Sequence, residues 1–245
     1  AYAWDFGDAD TSTAISPTKL YDTFGTFTTT LIATTPQGCT DTLSQDAVIY
    51  QNPRADYTVD DVCENASSLF VNVSEPGDGQ TLTFDWDLGD NTTLDVTAPD
   101  YVYATYGTYN TLLTVSDENG CTDQLSLTHQ VFAKPAADFR ADDACALSKI
   151  LLTNETQIAD GQLFRAFNWS WGDGETARGD VPDKAYDAPG FYDIRLIAET
   201  ENGCLDTANQ NIQVFANPVA AFDFIDACFP DSITFLHLSS IDNTF

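Results

Sequence analysis

Short runs of alternating apolar and polar residues recur along the whole chain, separated by Gly, Asp, Asn and Pro. Residues 82–88 place Leu82, Phe84, Trp86 and Leu88 on one side and Thr83, Asp85 and Asp87 on the other. Tyr109, Thr111, Leu113 and Val115 alternate in the same way, and the turn Glu118-Asn119-Gly120 leads to a last run ending at Ala133. A period of two marks half-buried antiparallel strands. No ten-residue stretch carries a helical stripe, and the runs are rich in Thr, Val, Tyr and Phe. About 80 residues hold six or seven such runs, which predicts a two-sheet β-sandwich.

The runs repeat as a set. "WDFGD" at 4–8 returns as "WDLGD" at 86–90 and "WSWGD" at 169–173, steps of 82 and 83 residues. An aromatic-Gly turn keeps the same step ("FGTF" 24–27, "YGTY" 106–109, "PGFY" 189–192). So do a "GC-D" at 38–41, 120–123 and 203–206, and X-Pro junctions at Pro53, Pro135 and Pro218. A period this long suits a small autonomous domain rather than a solenoid unit. The junctions divide the chain into 1–52, 53–134, 135–216 and 217–245. The second and third segments are whole units. The first reads as the tail of a unit and the last as the head of one, a three-period window cut from a longer array. The linkers are short and each carries a Pro, so an extended, stiff succession is expected.

Within the repeated motif, Trp4, Trp86 and Trp169 are the large inward residues of a central strand. Gly7, Gly89 and Gly172 end that strand and let the chain turn. Asp8, Asp90 and Asp173 are placed to accept backbone N–H bonds in the turn. In the aromatic-Gly motif the Gly is expected to take a turn and the second aromatic to begin the next inward face.

W-D-F-G-D at 4–8, followed some 15 residues later by an aromatic-Gly-x-aromatic turn, resembles the polycystic kidney disease (PKD) domain, an immunoglobulin-like sandwich. The likeness extends over all four segments. The third unit departs from it at Ser170 and Trp171. The fold it implies is all-β, a tandem array of immunoglobulin-like antiparallel sandwiches. The added cysteine pattern is similar to that of PKD arrays in very large secreted surface proteins of Bacteroidetes-type bacteria, which serve in adhesion and gliding. PKD modules also accompany secreted collagenases and chitinases.

Charge and chemistry narrow the reading. Against 38 Asp and Glu stand 9 Lys and Arg, a net charge of −29. Nucleic acid is an unsuitable partner, because phosphate contacts need clustered cations. The charge is spread through the repeats, as suits solubility and repulsion between neighbouring rods. No apolar run is long enough to cross a membrane. No catalytic constellation is present: neither GxSxG, HExxH nor a phosphate loop occurs. The two histidines, His129 and His237, do not recur between units; Ala47 and Ile212 stand where His129 does. A glycan platform needs exposed aromatic rings, yet three Trp belong to the motif and Trp171 falls on the same inward face, leaving Phe164 and some Tyr. Ca²⁺ is the cofactor to consider, since collagenase-type PKD domains bind it. Its candidate ligands are Asp60-Asp61, Asp142-Asp143 and Asp117-Glu118, although a solvated acidic loop is the commoner outcome. N-x-S/T triplets at Asn65, Asn72, Asn91, Asn154 and Asn168 do not recur in register.

The six cysteines keep the repeat: Cys39, Cys121 and Cys204 in the GC motif, and Cys63, Cys145 and Cys228 early in each unit. With no CxxC they read as disulfides of an exported protein. In an immunoglobulin-like order Cys63 follows the first strand and is expected in the loop at one end of the sandwich. Cys121 follows the turn at the other end, roughly 25 Å away, while a disulfide needs Cα atoms within about 7 Å. Head-to-tail stacking would then pair Cys63 with Cys204 of the next unit. Cys145 and Cys228 would bond forward and Cys39 and Cys121 backward, outside the chain. A shortened first strand would return the pairs Cys63–Cys121 and Cys145–Cys204 to reach. Together these readings describe a non-catalytic segment of an extracellular fibre or adhesin. Its partners would be neighbouring repeats, other copies, or a surface glycan or protein. The alternatives are ancillary modules of a secreted enzyme, or repeats that themselves bind glycan.

Overall fold

A computed structural model of the chain describes residues 1–78 and 81–240. Among them there is no helix, and so none long and apolar enough to cross a membrane. The second unit contains β5 (Tyr57–Val59), β6 (Val62–Cys63), β7 (Ser67–Asn72), β8 (Leu82–Asp87), β9 (Thr93–Leu94), β10 (Asp100–Val102), β11 (Gly107–Asp117) and β12 (Thr122–Phe132). They form two sheets, ordered β10-β7-β5 and β6-β12-β11-β8-β9. The third unit repeats the plan with β13 (Phe139–Ala141), β14 (Ala144–Cys145), β15 (Leu152–Asn154), β16 (Phe164–Ser170), β17 (Thr176–Arg178), β18 (Gly190–Thr200) and β19 (Leu205–Phe215). Its sheets are β13-β15 and β14-β19-β18-β16-β17. Among the described residues the second unit thus has eight strands, one more than the run count predicts, because pieces as short as β6 and β9 show no period in sequence.

The first strand of each unit changes sheets. β5 pairs antiparallel with β7, and three residues later β6 pairs in parallel with β12, Val62 opposite Val131 and Cys63 opposite Phe132. β14 does the same against β19. Cys63 therefore sits on a two-residue strand and not in a loop, a correction that follows from the switch. Asp61 and Asp143, beside the switch, accept the backbone N–H of Gln130 and Gln213 at 2.6 and 2.7 Å.

Alternation places the core as expected. Trp86, Leu88, Leu113 and Val115 are fully buried between the sheets. The Trp86 ring meets Tyr57 edge-on at 4.9 Å and Phe70 at 5.5 Å. The third unit has its own core of Phe139, Leu152, Trp169, Trp171, Ile194, Leu196 and Ile212. The sheets are also stitched by hydrogen bonds. Tyr57 Oη donates to the Thr111 carbonyl at 2.7 Å and accepts the Leu127 N–H at 3.1 Å. In the third unit the Gln210 side chain bonds both backbone groups of Ala141.

The end segments hold one sheet each. Residues 1–52 form β1 (Tyr2–Asp5), β2 (Thr11–Ser12), β3 (Gly25–Thr34) and β4 (Thr40–Ile49), in the order β2-β1-β3-β4. Trp4 is only half-buried there, unlike Trp86, because no second sheet covers it among the described residues. At the other end β20 (Phe222–Phe224) and β21 (Phe235–His237) form a hairpin equivalent to β13-β15, with Phe222 and Phe235 exposed. Residues 241–245 of the expected last segment lie outside the described residues.

His129 replaces the apolar residue of its strand position and is 3% exposed, against the edge of Phe70. Burial pushes its imidazole below the usual 6.5, and nearby Asp61 opposes this only in part. The folded state therefore resists a proton that the unfolded chain takes up near pH 6.5. Stability is complete above that pH and declines as pH falls below it. Denaturation of repeat 53–134 at pH 7.5 and 5.5 should show this loss, and His129→Ile, the residue present at 212, should abolish it. An equal loss in the variant would assign the effect to other groups.

Candidate functional site: the motif turn and the junction between repeats

The repeated Trp–Asp turn recurs three times, the third copy carrying Ser170 in place of the first Asp. Gly7, Gly89 and Gly172 have φ of +79°, +82° and +79°. A Cβ on any of them would lie 2.7–2.8 Å from backbone of Thr28, Asn110 or Asp193 on the adjacent long strand. Both the left-handed φ and the close strand demand glycine. In the first two copies the first Asp of the motif accepts the Gly N–H at 2.9 Å, Asp5 from Gly7 and Asp87 from Gly89. The last Asp accepts the amide two residues on: Asp8 from Asp10, Asp90 from Thr92, Asp173 from Glu175, at 3.0–3.1 Å. Each Trp indole N–H donates to a carbonyl ten residues ahead, Ala14, Val96 or Gly179.

The second carboxylate oxygen of that last Asp finds a partner that sequence reading missed. Residues 19, 101 and 184 stand one period apart and are Lys, Tyr and Lys. Lys19 pairs with Asp8 and Asp10, Tyr101 Oη donates to Asp90 at 2.7 Å, and buried Lys184 pairs with Asp173 and Glu175. The Lys19 hydrogen bond holds Asp8 below the usual carboxylate value. At Asp90 and Asp173 burial acts upward, but the hydrogen bonds from Tyr101 and Thr92, and from Lys184 and Glu175, outweigh it and leave both lowered. Such groups stabilise the fold above about pH 4, and the contribution disappears as pH falls through their lowered values. Asp90→Ala should cost roughly 1–2 kcal/mol by leaving turn amides unpaired, measured by chemical denaturation; no loss would deny the turn its structural weight.

The aromatic-Gly motif differs from its expected role. Gly25, Gly107 and Gly190 are the first residues of β3, β11 and β18, so they open strands and do not form the preceding turn. The GC-D aspartate has a function invisible from its neighbours in sequence. Asp123 and Asp206 accept the N–H of Ala55 and Ala137 at 2.8 Å, fixing the entry of each unit to its own last strand.

The chain folds into two compact units, one of residues 1–61, 67–102 and 108–130, the other of 62–66, 103–107 and 131–245. The pole of the second repeat that carries Cys63 thus belongs with the repeat that follows it. There Cys63 and Cys204 are joined by a disulfide with Cα atoms 5.6 Å apart, and Cys204 is buried. Asp160 accepts the N–H of linker residue Ala133 at 2.8 Å, and Gln162 donates to the Ala133 carbonyl at 3.2 Å. Glu64 accepts the Lys134 N–H at 3.0 Å. Within the other unit, Gly77 faces the linker backbone: a Cβ there would lie 2.3 Å from the Gln51 carbonyl oxygen. Cys39, Cys121, Cys145 and Cys228 are free thiols.

The candidate calcium ligands do not converge. Among the described residues no group of three or more Asp, Glu, His or Cys side chains could hold an ion. Asp61 and Asp143 are engaged as above, and Asp117 Oδ1 accepts the N–H groups of Asn119 and Cys121. Among the described residues these carboxylates therefore do not assemble a Ca²⁺ site. Of the four Trp, Trp86, Trp169 and Trp171 are at most 2% exposed and Trp4 is half-buried, while Phe164 packs against Phe167 at 4.9 Å.

The strands and motif turns define tandem immunoglobulin-like sandwiches. The chain belongs to the PKD domain family, whose pattern matches residues 1–49, 50–131 and 132–214. Similar solved structures include the PKD1 domain of Vibrio anguillarum Epp, 28% identical with a TM-score of 0.31, over 34% of this chain and 96% of that one. The PKD1 domain from the Vibrio cholerae metalloprotease PrtV is 30% identical with a TM-score of 0.30, over 33% and 96%. Among curated proteins, the pre-pro-metalloprotease PrtV of Vibrio cholerae serotype O1 is 24% identical over 152 residues. That match takes in 62% of this chain and 16% of PrtV.

Proposed function

We propose that the chain is a non-catalytic, tension-bearing segment of a secreted or cell-surface protein, in which each repeat is covalently stapled to the next. The Cys63–Cys204 bond carries this reading, because it joins an early cysteine of one repeat to the late cysteine of the following one. Extended by the repeat, Cys145 and Cys228 bond forward and Cys39 and Cys121 backward, to repeats of the same long protein. The buried Ala133 junction and its three hydrogen bonds support a linker that resists bending. Pulled by its ends, such a chain keeps the residues between 63 and 204 out of the force path. Single-molecule stretching of the oxidised protein should therefore release no length from that segment. Under reductant, unfolding of 135–216 should add its 82 residues at about 3.5 Å each. Release of that length without reductant would overturn the reading.

The similarity to PrtV favours a second reading, ancillary PKD modules attached to a secreted protease. Sequence flanking the chain separates the two: a hydrolase motif supports the enzyme, and further PKD repeats support the stalk.

A further inference from the structure

On the outward face of the third repeat, β16, β17 and β18 form an open groove of about 510 Å³. Its outward-facing side chains are Asn168, Ser170, Thr176, Arg178, Arg195 and Ile197. The charge is the anomaly. Six of the nine cationic side chains, Lys19, Arg54, Arg140, Lys149, Arg165 and Lys184, are ion-paired. The other three, Lys134, Arg178 and Arg195, make no salt bridge among the described residues, and two of them, Arg178 and Arg195, lie together in this groove; Arg178 Nε donates to Asn168 Oδ1 at 2.8 Å. The neighbouring outward carboxylates are already engaged, Asp193 by Asn211 and Glu199 by Arg165.

The same face of the second repeat has the opposite sign. Asp85, Asp87, Asp95 and Leu112 occupy the positions of Asn168, Ser170, Arg178 and Arg195. Three carboxylates are replaced by an amide, a hydroxyl and a guanidinium, and a leucine by a second guanidinium. None of these outward-facing positions belongs to the buried core, and neither arginine gains an ion pair within the repeat. The departure of "WSWGD" from the repeated motif is part of this substitution, since Ser170 is its second residue.

We propose that this groove binds an acidic polysaccharide through the carboxylates of its uronic acid units. The two guanidinium groups stand on strands flanking β16, Arg178 opposite Asn168 and Arg195 opposite Ser170, so two strand spacings and a two-residue offset put them about 12 Å apart at the backbone. They therefore offer two separate anion sites and not a chelate for one small ion. A chain with one carboxylate per ring satisfies both, and the guanidinium fork matches a carboxylate bidentately. Asn168, Ser170 and Thr176 supply amide and hydroxyl partners to sugar hydroxyls between them, and Ile197 offers apolar surface to ring C–H groups. Two cations on so acidic a protein are too few for a nucleic acid backbone.

Titration calorimetry of residues 1–245 with short oligogalacturonate should show one site, weakened by salt. Neutral oligosaccharides of the same length should not bind. Arg178→Asp and Arg195→Leu, the residues of the second repeat, should each weaken binding roughly tenfold or more, with an unchanged thermal midpoint. Placing Asp85→Asn, Asp87→Ser, Asp95→Arg and Leu112→Arg together in the second repeat should raise the stoichiometry from one to two, a readout that survives any misfolding of the Arg variants. The proposal is overturned by absent binding, by binding that the Arg variants leave intact, or by equal binding of neutral oligosaccharide or polyglutamate. It is equally overturned if sedimentation shows that Arg178→Asp instead dissolves a dimer between copies of this chain.

Discussion

Trp86→Ala lowers the unfolding free energy of repeat 53–134 by about 3–5 kcal/mol, the range for removing a large aromatic from a close-packed core. Trp86 has no exposed surface and fills the space between the two sheets, with Tyr57 and Phe70 against its ring. Its indole N–H also satisfies the Val96 carbonyl at 2.9 Å, so truncation leaves an acceptor unpaired as well as a cavity. A sandwich this small has no second anchor of that size in the same repeat. Gly89→Ala should cost roughly 1–3 kcal/mol, since it combines a left-handed φ with a Cβ 2.7 Å from the Asn110 carbonyl oxygen. Denaturant titration of single-repeat variants should rank Trp86→Ala above Gly89→Ala and Asp90→Ala. An Asp90→Ala loss larger than that of Trp86→Ala would give the aspartate a role beyond its turn.

Breaking the staple has the second large effect. The Cys63–Cys204 bond spans 141 residues, and closing so long a loop restricts the unfolded chain strongly, typically by about 2–4 kcal/mol. The joint variant Cys63→Ala, Cys204→Ala should destabilise residues 135–216 by about that amount relative to the oxidised protein. Reduction of the wild-type protein should reproduce most of the loss. If the variant and the oxidised protein unfold at the same denaturant concentration, the bond contributes nothing to stability.

The long strands of the second and third repeats were legible in sequence because one side of each carries the buried residues. Leu82, Phe84 and Trp86 fall on the inward side of β8, and Leu88, just after its end, is buried with them, as their alternation indicates. The motif glycine was legible as a turn, but not the reason for it, which is an adjacent strand 2.7–2.8 Å from a would-be Cβ. The glycines at 25, 107 and 190 looked the same and are strand residues, because a Gly beside an aromatic signals a break without saying on which side the strand lies. Contacts between distant positions were not readable locally. Asp123 and Asp206 recur as clearly as the tryptophans, yet their partners Ala55 and Ala137 lie 68 and 69 residues away. The Lys19, Tyr101 and Lys184 series was detectable only by asking what stands one period apart, since Lys and Tyr share no simple pattern. The charge reversal between Asp85, Asp87, Asp95 and Asn168, Ser170, Arg178 required the sheet register before it became a single surface.

The central claim is that successive repeats are covalently joined, and peptide mapping of the non-reduced protein tests it most directly. Proteolysis without reductant followed by mass spectrometry should yield a linked peptide containing Cys63 and Cys204, which separates into two on reduction. A linked peptide containing Cys63 and Cys121, or Cys145 and Cys204, would contradict it, because either pairing closes a bond within one repeat and leaves the junction unstapled.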